Sequence, residues 1–392
     1  MRSVEELDVK GKRVFLRVDF NVPLNELGEI RDDTRIRASL PTIMYLLGRG
    51  AKLVVASHLG RPKGKVDPKM SLKPASARLA ELIPNKVTQA PDVVGPEVAR
   101  LKTELGEGEV LVLENLRFTK GETDNDDAFA GQLAEDIDVY VNDAFGSSHR
   151  AHASVEAIAK FVPVKAAGFL LKLEVDYLRK AVHAPAKPYV AILGGAKVED
   201  KIPVIENLLN KADDILIGGA MAYTFLKAKG EDVGKSLVED DKKDIALKIL
   251  AKAAEKKVNF LLPLDHVLAT AVDTAAETRV VDGTPFPADM IGVDIGPKTI
   301  EAYAKIIAGA KTVFWNGPLG VFEIDRFAIG TVRIAEAVAA SGAISIVGGG
   351  DSIAAVAKAG VKDKITHIST GGGASLEFLA YETLPGIEAL EK

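Results

Sequence analysis

The sequence predicts an α/β protein built from two doubly wound, parallel-sheet (Rossmann-like) domains joined by a hinge helix. Three observations carry this. Short β-branched runs alternate with helical patterns from one end of the chain to the other. The runs are continuously apolar instead of alternating, as strands buried on both faces must be. And 392 residues exceed one ordinary core, which makes two domains the default.

In the first half the predicted strands are Val14 to Val18, Lys52 to Ala56, Val110 to Leu113 and Val139 to Val141. In the second half they are Tyr189 to Leu193, Ile215 to Ile217, Asn259 to Leu262, Thr312 to Trp315, Ile344 to Val347 and Thr366 to Ile368. The segments between them have helical spacing. Ile245, Ile249 and Ala253, for instance, fall on one stripe of Asp241 to Lys257. Strand–helix alternation sustained through both halves is the pattern of doubly wound domains. The boundary falls in the helical stretch Gly168 to Val182, followed by the Pro-bearing segment Ala184 to Pro188, which suits an exposed linker. The expected division is therefore 1–168, a connecting helix and linker over 169–185, and 186–376. The tail beyond, with Pro385-Gly386, shows little helical pattern.

Composition narrows the function. The hydrophobic fraction of 47% and charged fraction of 27% are those of an ordinary globular protein. A formal net charge of -5 argues against a surface made for nucleic acid. The absence of cysteine removes disulfides, thiolate metal sites and cysteine nucleophiles. The N-terminus runs directly into acidic residues without an apolar signal core, and no apolar run approaches the roughly 20 residues that span a bilayer. The expected compartment is the cytoplasm.

Two kinds of anion-binding equipment occupy different halves. In the first, arginines stand just beyond strand ends or at helix starts, as Arg35, Arg61, Arg117 and Arg150, with His58, His149 and His152 in the same loops. Guanidinium groups grip phosphates and carboxylates through paired hydrogen bonds. Asp19 and Asn21 could bond ligand hydroxyls or simply cap the turn ending at Pro23. In the second half, glycine clusters sit at strand-to-helix junctions: Gly194-Gly195, Gly218-Gly219, Gly348-Gly349-Gly350-Asp351 and Gly371-Gly372-Gly373. Such loops hold phosphates through backbone N–H groups and the helix dipole. Tight turns with Asp351 as a helix cap are the bland alternative, but a turn rarely needs three permissive residues. Lys197 and Lys201 add to the signal. Pro203 places a helix start near Asp200, with Lys201 inside a first turn whose dipole opposes a cation. Gly230 to Ser236 imitates a Walker A loop but is one residue short and follows a helix, and so is rejected.

Taken in order, Arg17-Val-Asp-Phe-Asn-Val-Pro23, Ser57-His-Leu-Gly-Arg-Pro62, Leu113-Glu-Asn-Leu-Arg-Phe118 and Asn142-Asp-Ala-Phe-Gly146 resemble the N-terminal domain of the phosphoglycerate kinase family. Gly194-Gly-Ala-Lys197, Trp315-Asn-Gly-Pro318, Gly320-Val-Phe-Glu323, Gly348 to Ser352 and Ser369 to Ser375 resemble its C-terminal domain. The resemblance covers essentially the whole chain. It implies a monomeric enzyme that reversibly transfers the 1-phosphoryl group of 1,3-bisphosphoglycerate to MgADP, giving 3-phosphoglycerate and MgATP. It implies that Asp19, Asn21, Arg35, His58, Arg61, Arg117 and Arg150 hold the acid. Gly195, Lys197, Lys201, Gly218, Gly219, Gly292, Asn316, Pro318, Glu323, Gly349, Gly350, Asp351 and Ser352 would surround the nucleotide, with Glu323 on the ribose and Asp351 on Mg²⁺. Arg35, Lys197, Gly371 and Gly372 are the expected catalytic groups. The resemblance further implies that the lobes close about the hinge helix and that the tail, about 377–392, returns to the N-terminal lobe.

The residue inventory agrees with that chemistry. A carboxylate acceptor is already ionised near pH 7, so alignment and charge neutralisation matter more than a general base. Two rivals stay in view. A dehydrogenase would need a dinucleotide fingerprint, which is missing at the expected strand–helix turn, and a two-lobed binding protein would not need a second, glycine-built phosphate site.

Overall fold

The computed structural model describes residues 1–392. The chain divides into two compact units, one of Met1–Asp176 with Thr383–Lys392 and one of Tyr177–Glu382. The division falls inside the helix Phe169–His183.

In the first unit the strands are β1 (Arg13–Arg17), β2 (Lys52–Ala56), β3 (Val87–Gln89), β4 (Val110–Val112), β5 (Val139–Asn142) and β6 (Lys165–Ala167). They form one parallel sheet in the order β3-β4-β2-β1-β5-β6. The chain steps from β1 to β2, goes on to β3 and β4 on that side, and then crosses to β5 on the other side of β1, so the topological switch lies between β1 and β5, where open α/β sheets bind ligands. Val14, Leu16, Leu53, Val55, Val112 and Val141 feed one continuous core, closed by Ile36, Ile43 and Leu46 of the helix Thr34–Gly48.

The second unit repeats the plan. It contains β7 (Tyr189–Leu193), β8 (Asp214–Ile217) and β9 (Asn259–Leu261), then β10 (Asp265–Ala269), β11 (Thr278–Asp282) and β12 (Ile291–Ile295). After these come β13 (Thr312–Asn316), β14 (Ile344–Gly348) and β15 (His367–Ile368). Six strands form a parallel sheet in the order β15-β14-β13-β7-β8-β9. Its central pair, β7 and β13, is buried at every position, as continuous apolar runs require. The switch falls between these two strands.

Three features depart from the sequence expectation. Strands β10, β11 and β12 make a separate antiparallel sheet in the order β11-β10-β12 that periodicity did not reveal. The short strands β3 and β6 at the edges of the first sheet were not expected, whereas Lys201 does lie in the first turn of a helical stretch, a 3₁₀ turn over Glu199–Lys201 that runs directly into the helix Ile202–Leu208 with Pro203 as its second residue. The tail is helical over Pro385–Glu391, with Pro at its first position, where a missing N–H costs nothing. Ile387 and Leu390 are buried, and the Gly386 N–H donates to the Ser148 carbonyl at 2.9 Å.

Three buried aspartates at or just beyond strand ends each hold the start of a helix. Asp143 Oδ1 accepts from Leu170 N–H at 2.9 Å and Leu171 N–H at 3.2 Å, at the start of Phe169–His183. Asp265 accepts from Lys298 and Thr299 N–H in the helix Pro297–Ala308. Asp294 accepts from Gly330 N–H at 2.7 Å in Ile329–Ala340. These contacts satisfy helix N–H groups that have no intrahelical partner.

The tail helix gives a direct stability test. Ile387 is fully buried, so Ile387→Ala is expected to lower unfolding free energy by about 2–5 kcal/mol. Urea unfolding measures this, and a change below about 0.5 kcal/mol would show that the tail does not contribute to the core.

Candidate functional sites

In the first unit, loops leaving the carboxyl ends of β1, β2, β4 and β5 converge. Phe20 N–H donates to Ser57 Oγ at 2.8 Å, tying the loop after β1 to that after β2. Gly60, with φ of 61°, makes a turn in a conformation that an L side chain adopts poorly. Asn21 Oδ1 accepts its N–H at 2.9 Å, and Arg117 Nη1 donates to its carbonyl at 2.9 Å. Arg35, in the first turn of Thr34–Gly48, donates to Asp19 Oδ2 at 2.8 Å. That carboxylate offsets the dipole that would disfavour a cation there.

The expected acid-binding residues thus share one electrostatic neighbourhood. Burial lowers the Arg117 pKa to about 10, with Arg17 and Arg61 pushing the same way against Glu122 and Asp19. His58 is driven well below its ordinary pKa by burial and by Arg17, Arg117, Arg35 and His152. Burial and Arg150 take His149 to about 4, and burial with Arg117, Arg17, Arg150 and His149 takes His152 to about 3. All three imidazoles are neutral at pH 7. Arg117 Nε, His149 Nδ1 and His152 Nδ1 are buried without a hydrogen-bond partner in the protein. Arg61 and Arg150 are exposed at the edge of the cluster. Buried cations beside polar atoms that have no protein partner make a neighbourhood whose chemistry suits an anion.

In the second unit two adjoining cavities lie at the β7/β13 switch. One, of about 240 Å³, is walled by Gly219, Tyr223, Gly292, Val293, Leu319 and Val321, with Glu323 at its edge. The other, of about 470 Å³, is lined by Gly195, Lys197, Lys201, Asn316, Pro318 and the turn Gly349 to Ser352. Gly195 and Asp351 line both. The first has an apolar wall suited to a flat base, and the second carries cations and a helix start suited to phosphates.

The glycines here do not all act as donors. The N–H groups of Gly194, Gly195 and Gly219 are already bonded to the carbonyls of Asn316, Pro318 and Leu319. What these positions need is close approach. A Cβ on Gly194 would lie 2.1 Å from the Pro318 carbonyl oxygen, and one on Gly218 would lie 2.4 Å from Leu319. A Cβ on Gly372 would lie 2.6 Å from Gly349 Cα, so the two triple-glycine loops pack backbone to backbone. Donors with no intrahelical acceptor remain in the first turns of Gly350–Lys358 and Gly372–Tyr381. Gly371 N–H donates to Ser369 Oγ at 3.3 Å.

Around this turn the polar groups are fixed. Asn316 Nδ2 donates to the Gly348 carbonyl at 2.8 Å, while its Oδ1 accepts from Lys201 Nζ. Ser352 Oγ accepts from Gly317 N–H at 2.6 Å. Burial lowers the Lys201 pKa to about 8 although Asp200 and Asp351 oppose it. Lys197, Glu323 and Asp351 are exposed. The apolar wall of Tyr223, Val293, Leu319 and Val321 was not anticipated, because no local motif marks it. Ser236, from the rejected Walker-like stretch, instead accepts the Gly292 N–H at 2.9 Å behind that wall.

Fold and sites define a class, an α/β protein with an arginine and histidine cluster in one Rossmann-like unit and a glycine-built cleft in the other. The family profile described as phosphoglycerate kinase matches residues 4–382. The chain is 60% identical over 397 residues to a phosphoglycerate kinase of Acidobacterium capsulatum, covering 99% of this chain and 98% of that protein. It is 56% identical over 394 residues to one of Anaeromyxobacter dehalogenans, covering all of both. The solved phosphoglycerate kinase of Coxiella burnetii superposes with a TM-score of 0.90 at 41% identity, over 99% of this chain and 98% of that one. That of Pyrococcus horikoshii gives 0.83 at 37%, over 100% of this chain and 98% of that one. The chain belongs to the phosphoglycerate kinase family.

Two predictions follow from the geometry. Gly194→Ala forces a methyl group onto a carbonyl and is expected to cost about 1–3 kcal/mol, whereas Gly350→Ala, with nothing within 4 Å, leaves stability within about 0.5 kcal/mol. Equal melting shifts for the two would contradict the close-packing account. The second concerns pH. Unfolded His152 takes up a proton near pH 6.5, but in the folded protein it does so only near 3. Its contribution to stability is therefore full above pH 6.5 and is lost as pH falls through that window. His152→Asn should flatten the fall in melting temperature between pH 7 and 4.5; an unchanged slope would contradict the assignment.

Proposed function

We propose that the protein catalyses reversible transfer of the acyl phosphate of 1,3-bisphosphoglycerate to ADP, forming 3-phosphoglycerate and ATP, with the acid in the arginine cluster and the nucleotide in the glycine-built cleft. The observation that carries this reading is the presence of two anion sites of different construction in one chain of this family. The decisive experiment is a coupled assay of ATP formation from 1,3-bisphosphoglycerate and ADP. No turnover above background with folded protein would overturn the reading.

The roles follow from the chemistry. In the direction of ATP synthesis, a β-phosphate oxygen of ADP attacks the acyl phosphorus and the bond from phosphorus to the carboxylate oxygen breaks. Neither oxygen needs deprotonating near pH 7, so no general base is required. The neutral histidines beside the arginines are weak bases and serve better as N–H donors. Catalysis then rests on alignment and on cations facing the migrating phosphoryl group. Arg35, partly exposed and steered by Asp19, and Lys197, exposed at the cleft, suit that task. Helix-start N–H groups at Gly372 and beyond would hold phosphoryl oxygens. Glu323 at the edge of the base cavity would take the ribose.

Asp351 fits a Mg²⁺ carried by the nucleotide. It is an exposed carboxylate at a helix start and lines both cavities, and no cluster of three His, Cys, Asp or Glu side chains exists that could cage a metal without a ligand's help. Mg²⁺ commonly takes one or two carboxylates and completes its shell with phosphate oxygens and water. When bound, it neutralises phosphate charge.

Arg35→Ala is expected to lower kcat by about 10²-fold or more, the size of losing one preorganised donor. An unchanged kcat with a raised KM for the acid would show that Arg35 only binds. Asp351→Asn keeps a helix-capping side chain but loses the carboxylate. It should shift the Mg²⁺ dependence of turnover to higher concentration, and wild-type activity at limiting Mg²⁺ would show that Asp351 serves only the helix.

A further inference from the structure

Beneath the arginine cluster lies a residue for which the proposed transfer has no direct use. Arg17, the last residue of β1, is completely buried, an unusual state for a guanidinium that keeps its charge. Its Nε donates to Ser154 Oγ at 2.8 Å, its Nη1 donates to the Val18 carbonyl, and its Nη2 lies 3.2 Å from His58 Nδ1. Ser154 passes the contact on. Its hydroxyl donates to Glu122 Oε1 at 2.6 Å and its N–H donates to Glu122 Oε2 at 2.9 Å. Glu122 and Ser154 are both fully buried. The line Glu122–Ser154–Arg17–His58 is therefore a buried carboxylate and a buried guanidinium joined through one hydroxyl and ending on an imidazole.

We propose that Arg17 is a positioning residue that locks His58 in the tautomer carrying its hydrogen on Nε2, so that this nitrogen faces the acid's site as a donor. A guanidinium has five N–H donors and no acceptor. A contact of 3.2 Å between Arg17 Nη2 and His58 Nδ1 is therefore a hydrogen bond only if Nδ1 offers its lone pair. A hydrogen on Nδ1 would set two N–H groups against each other. Protonating the ring would do the same and add a cation to a place already facing Arg17, Arg117, Arg35 and His152. The one ring hydrogen is left to Nε2.

Arg17 is itself unable to swing away. Two of its other donors are spent on Ser154 and Val18, and the β1 backbone that carries it is held in the sheet on both sides. The orientation of the second ring nitrogen is thus set by a partner on the first, the arrangement that fixes histidines in metal and catalytic sites. An Nε2–H donor suits an anionic oxygen, and a lone pair at the same place would repel it. The tautomer follows from contacts within the protein; its use as a ligand donor rests on the reading of this cluster as the acid's site.

The test is nitrogen NMR of the full-length, ligand-free protein labelled at histidine, in which the two tautomers and the imidazolium are distinguishable. His58 is expected to be wholly Nε2–H and not to titrate between pH 5.5 and 8. An Nδ1–H signal, or titration inside that range, would overturn the proposal. Arg17→Met supplies the second arm. In a variant that still melts cooperatively, His58 should show both tautomers, with KM for 3-phosphoglycerate up about tenfold, the size of one charge-assisted hydrogen bond. Retention of pure Nε2–H in folded Arg17→Met would overturn the inference. If the variant does not fold, the wild-type spectrum decides. Adding 3-phosphoglycerate should then move the His58 Nε2 resonance. Absence of that shift, with the tautomer as stated, would count against the acid-site reading and leave the role of Arg17 standing.

Discussion

Like charges brought together at strand ends, with too few carboxylates to cancel them, are the constraint on which the first site depends. Asp19 and Glu122 stand among Arg17, Arg35, Arg61 and Arg117, and His58, His149 and His152 are held neutral first by burial and then by repulsion from the neighbouring arginines. Repulsion of this kind lowers stability until an anion arrives, and it strengthens that anion's binding in the same measure. The backbone makes the cluster possible. Parallel strands aim their carboxyl ends at one edge, and the switch between β1 and β5 opens a crevice there.

The second site solves the same problem with backbone in place of guanidinium. Loops after β7, β8 and β13 approach so closely that a methyl group on Gly194, Gly218 or Gly219 would strike neighbouring atoms. Several N–H groups expected to face phosphate are consumed in building that contact, and donation passes to the first turns of helices Gly350–Lys358 and Gly372–Tyr381. The glycines are thus required for shape first. On the proposed function, phosphate recognition would fall to helix starts, Lys197 and Lys201, with Asn316 bridging Lys201 to the Gly348 carbonyl.

The inner strands of both parallel sheets were legible in the sequence because they carry continuous apolar runs, Val14 to Leu16 and Tyr189 to Leu193 among them, whereas the three-residue strands β3 and β6 are too short to show one. The arginine and glycine motifs were legible for a related reason, since chemistry at strand ends uses residue types that stand out from the core. The sheet of β10, β11 and β12 escaped notice. Asp265 and His266 interrupt the apolar pattern of β10, and four of the five residues of β11 are exposed. The tail helix escaped because Pro385-Gly386 looks like a stop, although Pro is well placed at a first helical turn. Long-range devices left no local trace at all. Asp143 serves a helix that starts at Phe169, Asp265 one that starts at Pro297, and Tyr223 packs on Gly292 to wall the base cavity. Each joins residues far apart in sequence, where spacing carries no information.

The central claim is that two separate sites bind the two anions by two different means. Binding of 3-phosphoglycerate and of ADP, each measured alone by calorimetry in Arg117→Ala and in Lys201→Met, tests it most directly. The account predicts that Arg117→Ala weakens the acid at least tenfold with ADP affinity unchanged, and that Lys201→Met does the reverse. Loss of affinity for both ligands in either folded variant would contradict it, since a shared site would then hold them.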